Sequence, residues 1–202
     1  MAEPKKIVVR PWRRWLPLGI FVAAAIVLAL AMALPRILSA GRGADIGGPF
    51  ALVDQHGAPT TEATFNGKIM LVYFGYTYCP DVCPTTLATI GQALDKLTPE
   101  QRKQVVPVFI TVDPERDTTE VIGQYVANFA PDMVGLTGAL DAVQKVEREY
   151  HVYAAKHPEK DGSYSMDHSS IVYLMDRDGH YRAIFSGEVK AAEIVDGLKK
   201  QL

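Results

Sequence analysis

Two apolar runs do most to limit what this chain can fold into. Ile69-Met70-Leu71-Val72-Tyr73-Phe74 is one, and Val105 to Val112, interrupted only by Pro107 and Thr111, is the other. Neither alternates apolar with polar side chains. A strand with one wet face alternates, and a strand covered on both faces does not. Both runs therefore predict buried strands, the second of them covered on both faces as in a parallel sheet.

Helical periods fall between and after them. Leu87, Ile90, Leu94 and Leu97 recur at helical spacing within a segment predicted from Thr85 to Leu97. Thr119 to Phe129 and Leu140 to Tyr150 read as further helices, the latter with Val143, Val146 and Tyr150 on one side. Pro49 to Asp54 reads as a short strand before a turn at His56-Gly57, and Met133 to Leu136 as a short edge strand. Tyr153 to Asp167 is polar and reads as a long loop or insertion. Ser170 to Met175 and Tyr181 to Phe185 read as a hairpin around Arg177-Asp178-Gly179-His180, and Val189 to Leu202 as a closing amphipathic helix. Strands alternating with helices, then a hairpin, then a helix, predict an α/β domain on a mixed sheet flanked by helices.

The chain has two cysteines, Cys79 and Cys83, in Cys79-Pro80-Asp81-Val82-Cys83-Pro84. They lie where the first buried strand ends and the first helix begins. This placement narrows the α/β reading to a thioredoxin-like arrangement. It predicts exposed thiols near the positive end of a helix dipole, which favours thiolate. A thiolate is the nucleophile of disulfide exchange and also the ligand form for soft metals such as Cu(I) or Zn(II). A plain structural disulfide is the third reading. The loop it would close is short and would add little stability.

The N-terminus speaks to compartment. Leu16 to Leu34 is 19 residues without a charge, within the roughly 17–25 that a spanning helix needs. Lys5, Lys6, Arg10, Arg13 and Arg14 precede it, and Trp12 and Trp15 stand at the interface position that tryptophan favours. The expected organisation is a cytoplasmic N-terminus over 1–15, a single transmembrane anchor over 16–38, a Gly-rich linker over 39–48 and the domain over 49–202. The charge asymmetry places that domain outside the cytoplasm, in the periplasm or an equivalent exported compartment. A cleaved signal peptide is the rival reading, although the apolar run exceeds the usual core of about 7–15 residues. In such a compartment cysteines can oxidise. The basic residues gather before and just after the apolar segment and leave the remainder acidic. That balance speaks against a nucleic-acid partner.

A thiolate pair needs further donors to hold a metal. His56, His151 and His180 fall in turns or at the surface and read as solvated. His157 lies in the polar stretch and leaves both readings open. His168 stands before the strand of the terminal hairpin, where a thioredoxin-like fold packs it opposite the cysteine loop. Position alone does not decide between a ligand and a capping residue there. Asp113, Arg116 and Asp117 follow the second buried strand, at the sheet end where α/β proteins gather ligands. They serve equally well as a turn and helix cap. Met166 is a soft donor near His168, though such a methionine more often fills a gap.

Three blocks resemble the Sco/SenC copper proteins of cytochrome c oxidase assembly. They are Gly75-Tyr76-Thr77-Tyr78-Cys79-Pro80-Asp81-Val82-Cys83-Pro84, Val112-Asp113-Pro114-Glu115-Arg116-Asp117-Thr118, and Asp167-His168. Their order and spacing agree with that family from about Gly48 to the C-terminus. The resemblance implies a thioredoxin fold and copper, as Cu(I) with Cu(II) left open, bound by Cys79, Cys83 and His168. It implies delivery of copper to, or thiol reduction of, the dinuclear copper site in oxidase subunit II. Other copper or thiol-redox proteins of the exported compartment are further partners. The expected role is a metallochaperone rather than an enzyme. The alternative is a thiol–disulfide oxidoreductase in which Cys79 and Cys83 are the catalytic redox pair. A thiol peroxidase fits less well, because nothing in the sequence marks a peroxide pocket.

Overall fold

The computed structural model describes residues 46–186 and 188–202. The predicted anchor over 16–38, the segment before it and the linker as far as residue 45 lie outside them. Among the described residues no helix is long and apolar enough to cross a membrane.

Among the described residues nine strands and five α-helices follow in order: β1 (Ala51–Asp54), β2 (Pro59–Thr61), β3 (Ile69–Gly75), α1 (Val82–Leu94), α2 (Pro99–Arg102), β4 (Val105–Thr111), α3 (Thr119–Val126), β5 (Val134–Thr137), α4 (Leu140–Glu149), β6 (Ala154–Pro158), β7 (Tyr164–His168), β8 (Ile171–Met175), β9 (Tyr181–Ser186) and α5 (Ala191–Lys199). Seven strands form one mixed sheet in the order β2-β1-β5-β4-β3-β8-β9. β3, β4 and β5 run parallel, and β8 returns antiparallel to β3.

The two apolar runs become β3 and β4 at its centre, and every residue of β3 is buried. Their side chains divide by parity. Ile69, Leu71, Tyr73 and Phe109 face α1, α3 and α5, while Met70, Val72, Phe74, Val108 and Ile110 face α4. Each fully buried aliphatic side chain contributes roughly 1.5–3 kcal/mol, so two filled faces fix the register of both strands. Gly75 pairs with Thr111. The loops that leave β3 and β4 therefore emerge side by side at one end of the sheet.

The structure departs from the sequence reading in three places. Val134–Thr137 is not an edge strand, because the β1–β2 hairpin adds outside it, with Val53 opposite Thr137. Residues 153–167 are not an irregular loop. They form most of a separate two-stranded sheet, β6–β7, in which Ala154 pairs with His168 and Pro158 with Tyr164. The first helix begins at Val82 rather than Thr85, so Cys83 belongs to its first turn.

Candidate metal centre

Starting the helix at Val82 changes the character of the cysteines. Both were expected to be exposed. Cys79 is half-buried in the loop, but Cys83 is 0% exposed. It lies one turn before Leu87 on the helix face that packs on the sheet, and this turns its sulfur inward. Both thiols are free. The Cys83 backbone N–H donates to Cys79 Sγ at 3.4 Å, so the first turn of α1 caps a sulfur.

The close approach of α1 to the end of β3 depends on Gly75. A Cβ there would meet Cys83 Sγ at 2.7 Å, Phe109 Cε2 at 3.0 Å and Tyr73 Cε1 at 3.2 Å. Gly75→Ala is expected to cost about 1–3 kcal/mol in urea unfolding. A loss below a few tenths of that would show that the contact relaxes freely.

His168 ends β7 and reaches the same point. Its Nε2 lies 3.3 Å from Cys83 Sγ, and its Nδ1 lies 3.1 Å from the Ser169 carbonyl. A carbonyl only accepts, so Nδ1 carries the proton and Nε2 presents its lone pair to the sulfurs. The ligand atoms of Cys79, Cys83 and His168 all lie within 4.8 Å of one another. Two sulfurs and an imidazole nitrogen are a donor set for a soft metal such as Cu(I) or for zinc.

The two sulfurs are not equivalent. The Cys83 thiol donates to Cys79 and holds it as thiolate, its pKa pulled down to about 3 against the opposing effect of burial. The backbone amides of Cys83 and Asp81 help. Cys83 is pushed up by that same bond and then by burial, so it keeps its proton. A metal taking both sulfurs displaces this proton.

Tyr73 was not singled out in the sequence, where it reads as core. Its hydroxyl donates to Cys83 Sγ at 3.7 Å and meets Ser170 Oγ at 3.4 Å. Its ring stands edge-on to His168, with centroids 6.3 Å apart. Tyr76 also packs edge-on against the imidazole, at 5.7 Å and 88°.

The acidic block after β4 braces the site and offers it no ligand. Asp117 is fully buried and accepts from the Thr77 N–H at 3.0 Å, the Thr77 hydroxyl at 2.6 Å and the Thr111 hydroxyl at 2.6 Å. It thereby ties the cysteine loop to the end of β4. Asp113 accepts from Arg116 Nε and from the Tyr164 hydroxyl. Met166 packs against the α4-side core, as a gap-filler would. His56 and His151 are exposed. His157 pairs with Asp167 at 2.9 Å within the small sheet, and His180 sits beside Asp176 in the β8–β9 turn. Asp176, Asp178 and His180 also lie close together, but Asp176 already accepts from Arg182 and from two turn amides.

With this geometry in view, the chain can be set beside known proteins. The family model described as SCO1/SenC matches residues 39–202. The chain belongs to the SCO1/SenC family. The mitochondrial SCO1 homolog 1 of Arabidopsis thaliana is 41% identical over 164 residues, covering 81% of this chain and 49% of that protein. The chain thus spans about half the length of that relative. The solved structure of Bradyrhizobium japonicum ScoI with copper bound is 44% identical, with a TM-score of 0.72 over 78% of this chain and 99% of that one. Yeast Sco1 with copper bound is 35% identical, with a TM-score of 0.72 over 78% of this chain and 88% of that one. The fold is the thioredoxin-like SCO fold, with helices flanking a mixed sheet.

Proposed function

We propose that this SCO1/SenC protein is a copper-binding assembly factor that holds copper through Cys79, Cys83 and His168. Its cargo is destined for the dinuclear copper site of cytochrome c oxidase subunit II. The observation that carries the reading is the bare Nε2 of His168, aimed at two reduced sulfurs within 4.8 Å. The copper found in the Bradyrhizobium and yeast relatives supports it. So does the association of the Sco family with cytochrome c oxidase assembly.

The chemistry follows from the asymmetry of the sulfurs. In the reduced site Cys79 is a thiolate and Cys83 a thiol. Taking up Cu(I) therefore releases one proton per ion and leaves a three-coordinate centre. Oxidation of the pair to a disulfide removes both sulfur ligands, so redox state gates loading. Cys83 has no exposed surface, so an incoming partner thiol meets the copper from the Cys79 and His168 side.

In this reading residues 1–15 are cytoplasmic, 16–38 anchor the chain in the inner membrane and 39–48 link it to the domain. The domain over 49–202 faces the periplasm or an equivalent exported compartment. The charge pattern around the apolar segment supports this arrangement.

One observation favours a second reading. A half-exposed thiolate above a helix N-terminus, beside a buried thiol, is also the asymmetry of an exchange pair. The alternative is a thiol–disulfide oxidoreductase that reduces the cysteines of the same copper site. His168 separates the two, because exchange does not need its Nε2. The test is an anaerobic Cu(I) titration against a competing chelator, on wild type and His168→Ala with the full chain in detergent. One copper per chain, with affinity at least 10–100-fold weaker in the variant, is the expected result; that is the range for changes one shell further out. An affinity that ignores His168 would give the exchange reading its place.

A further inference from the structure

His168 is held in an unusual way. It ends a two-stranded sheet that is not paired with the main one. An isolated hairpin is marginally stable at best. Most of β6–β7 is exposed or only half-buried. Yet its last residue has to keep Nε2 within 3.3 Å of a sulfur carried on α1.

Several ties from this hairpin to the sheet end meet at Arg116, and beside them Lys156 of β6 pairs with Glu115. Arg116 Nη1 donates to the Tyr164 carbonyl at 3.0 Å, and its Nε pairs with Asp113. Asp113 in turn accepts from the Tyr164 hydroxyl at 2.8 Å. The guanidinium carbon lies 3.7 Å from the Tyr164 ring centroid, 4.8 Å from that of Tyr78 and 5.8 Å from that of Tyr76. Tyr164 belongs to the hairpin, and Tyr76 and Tyr78 belong to the cysteine loop. The Tyr76 ring also stands edge-on to the imidazole of His168.

The sacrifice made at this position is informative. Among the described residues Arg116 Nη2 is buried without a hydrogen-bond partner, and a buried donor left unpaired is destabilising. Stacking on tyrosine faces offsets part of that. A planar guanidinium bonds a carbonyl, pairs with a carboxylate and stacks flat on a ring in one fixed geometry, whereas an ammonium is a point charge without the fork or the flat face.

We propose that Arg116 is a positioning residue for the copper site. It clamps the β6–β7 hairpin to the cysteine loop and so fixes His168 against the two sulfurs. The inference rests on the three-ligand reading above, and its test separates the two. Anaerobic Cu(I) titrations compare wild type, Arg116→Ala, Arg116→Lys, His168→Ala and the double variant Arg116→Ala/His168→Ala, all as full chains in detergent.

Arg116→Ala is expected to weaken copper binding about tenfold, in the range for groups that orient a ligand. Arg116→Lys restores little, because it keeps the charge without the fork or the flat face. In the His168→Ala background, Arg116→Ala changes nothing further. The reduction potential of Cys79/Cys83 stays at the wild-type value, while amide exchange at Tyr164 and Met166 accelerates. Should Arg116→Ala fail to fold, Tyr164→Phe removes only the hydroxyl bond to Asp113. It is then expected to show a smaller loss with the same dependence on His168. Equal losses in both backgrounds, or unchanged copper affinity in the Arg116 or Tyr164 variant, would overturn the positioning role. A His168→Ala protein that binds copper as wild type does would overturn the three-ligand reading, and the positioning role with it.

Discussion

Replacing Cys83 by alanine is expected to abolish copper retention and leave the fold standing. Cys83 is fully buried, and its sulfur meets the Cys79 thiolate, His168 Nε2 and the Tyr73 hydroxyl. Alanine there removes one of the three donor atoms outright. The affinity loss should therefore exceed 100-fold, above the 10–100-fold that outer-shell changes cost. The stability loss is about 1 kcal/mol, the scale for deleting one buried atom group. Cys79 changes as well. The Cys83 thiol is the largest influence holding its pKa at about 3. In the variant that pKa rises, so alkylation of Cys79 becomes pH-dependent across the neutral range. Equilibrium dialysis, urea unfolding and iodoacetamide kinetics read the three effects. Copper held within a few-fold of wild type would show that Cys83 is a structural residue only.

Removing Asp117 is expected to do the reverse, damaging the fold first and the site through it. Three donors converge on this carboxylate, and its own carbonyl accepts from the Thr137 hydroxyl at 2.8 Å. Asp117→Ala strands a buried amide and two hydroxyls, at about 3–5 kcal/mol. It also frees Thr77, two residues before Cys79, so metal binding weakens too. The pH profile carries a second signature. Burial raises the Asp117 pKa above 3.8, with the aligned donors opposing it. A folded-state pKa above the unfolded one means that the folded chain binds the proton more tightly. This group's stability contribution is complete below pH 3.8 and is lost as pH rises through the higher native value. Asp117→Asn cannot ionise and lacks that slope. Denaturant unfolding across the acidic range checks it. A cost below 1 kcal/mol for alanine, or parallel profiles for wild type and Asn, would contradict this account.

The sequence was most legible where burial wrote a pattern into it. β3 and β4 were visible because both faces are covered, and α4 because Val143, Val146 and Tyr150 share its buried side. The burial of Cys83 was also written there, since it extends the Leu87, Ile90 and Leu94 face one turn back. The strand-end position of the pair hid that reading. β6–β7 left no such signal. Its residues bury little and are held through Tyr164 by Arg116 and Asp113, polar contacts that cross from another part of the chain. β1 and β2 displaced Val134–Thr137 from the edge for a similar reason, because three-residue Pro59–Thr61 is too short to show a period. His168 stood as a candidate from its place before β8. Its meeting with Cys83, 85 positions away, depends on the antiparallel return of β8 beside β3. Tyr73 reads as core in any pattern. Only the structure shows that its hydroxyl ends at a sulfur.

X-ray absorption at the copper edge of the Cu(I)-loaded, reduced full chain tests the central claim most directly. Two sulfur scatterers and one imidazole nitrogen per copper, at one copper per chain, are the result that Cys79, Cys83 and His168 require. A shell of sulfur alone, or more than two sulfurs per copper from ions bridging separate chains, would contradict it.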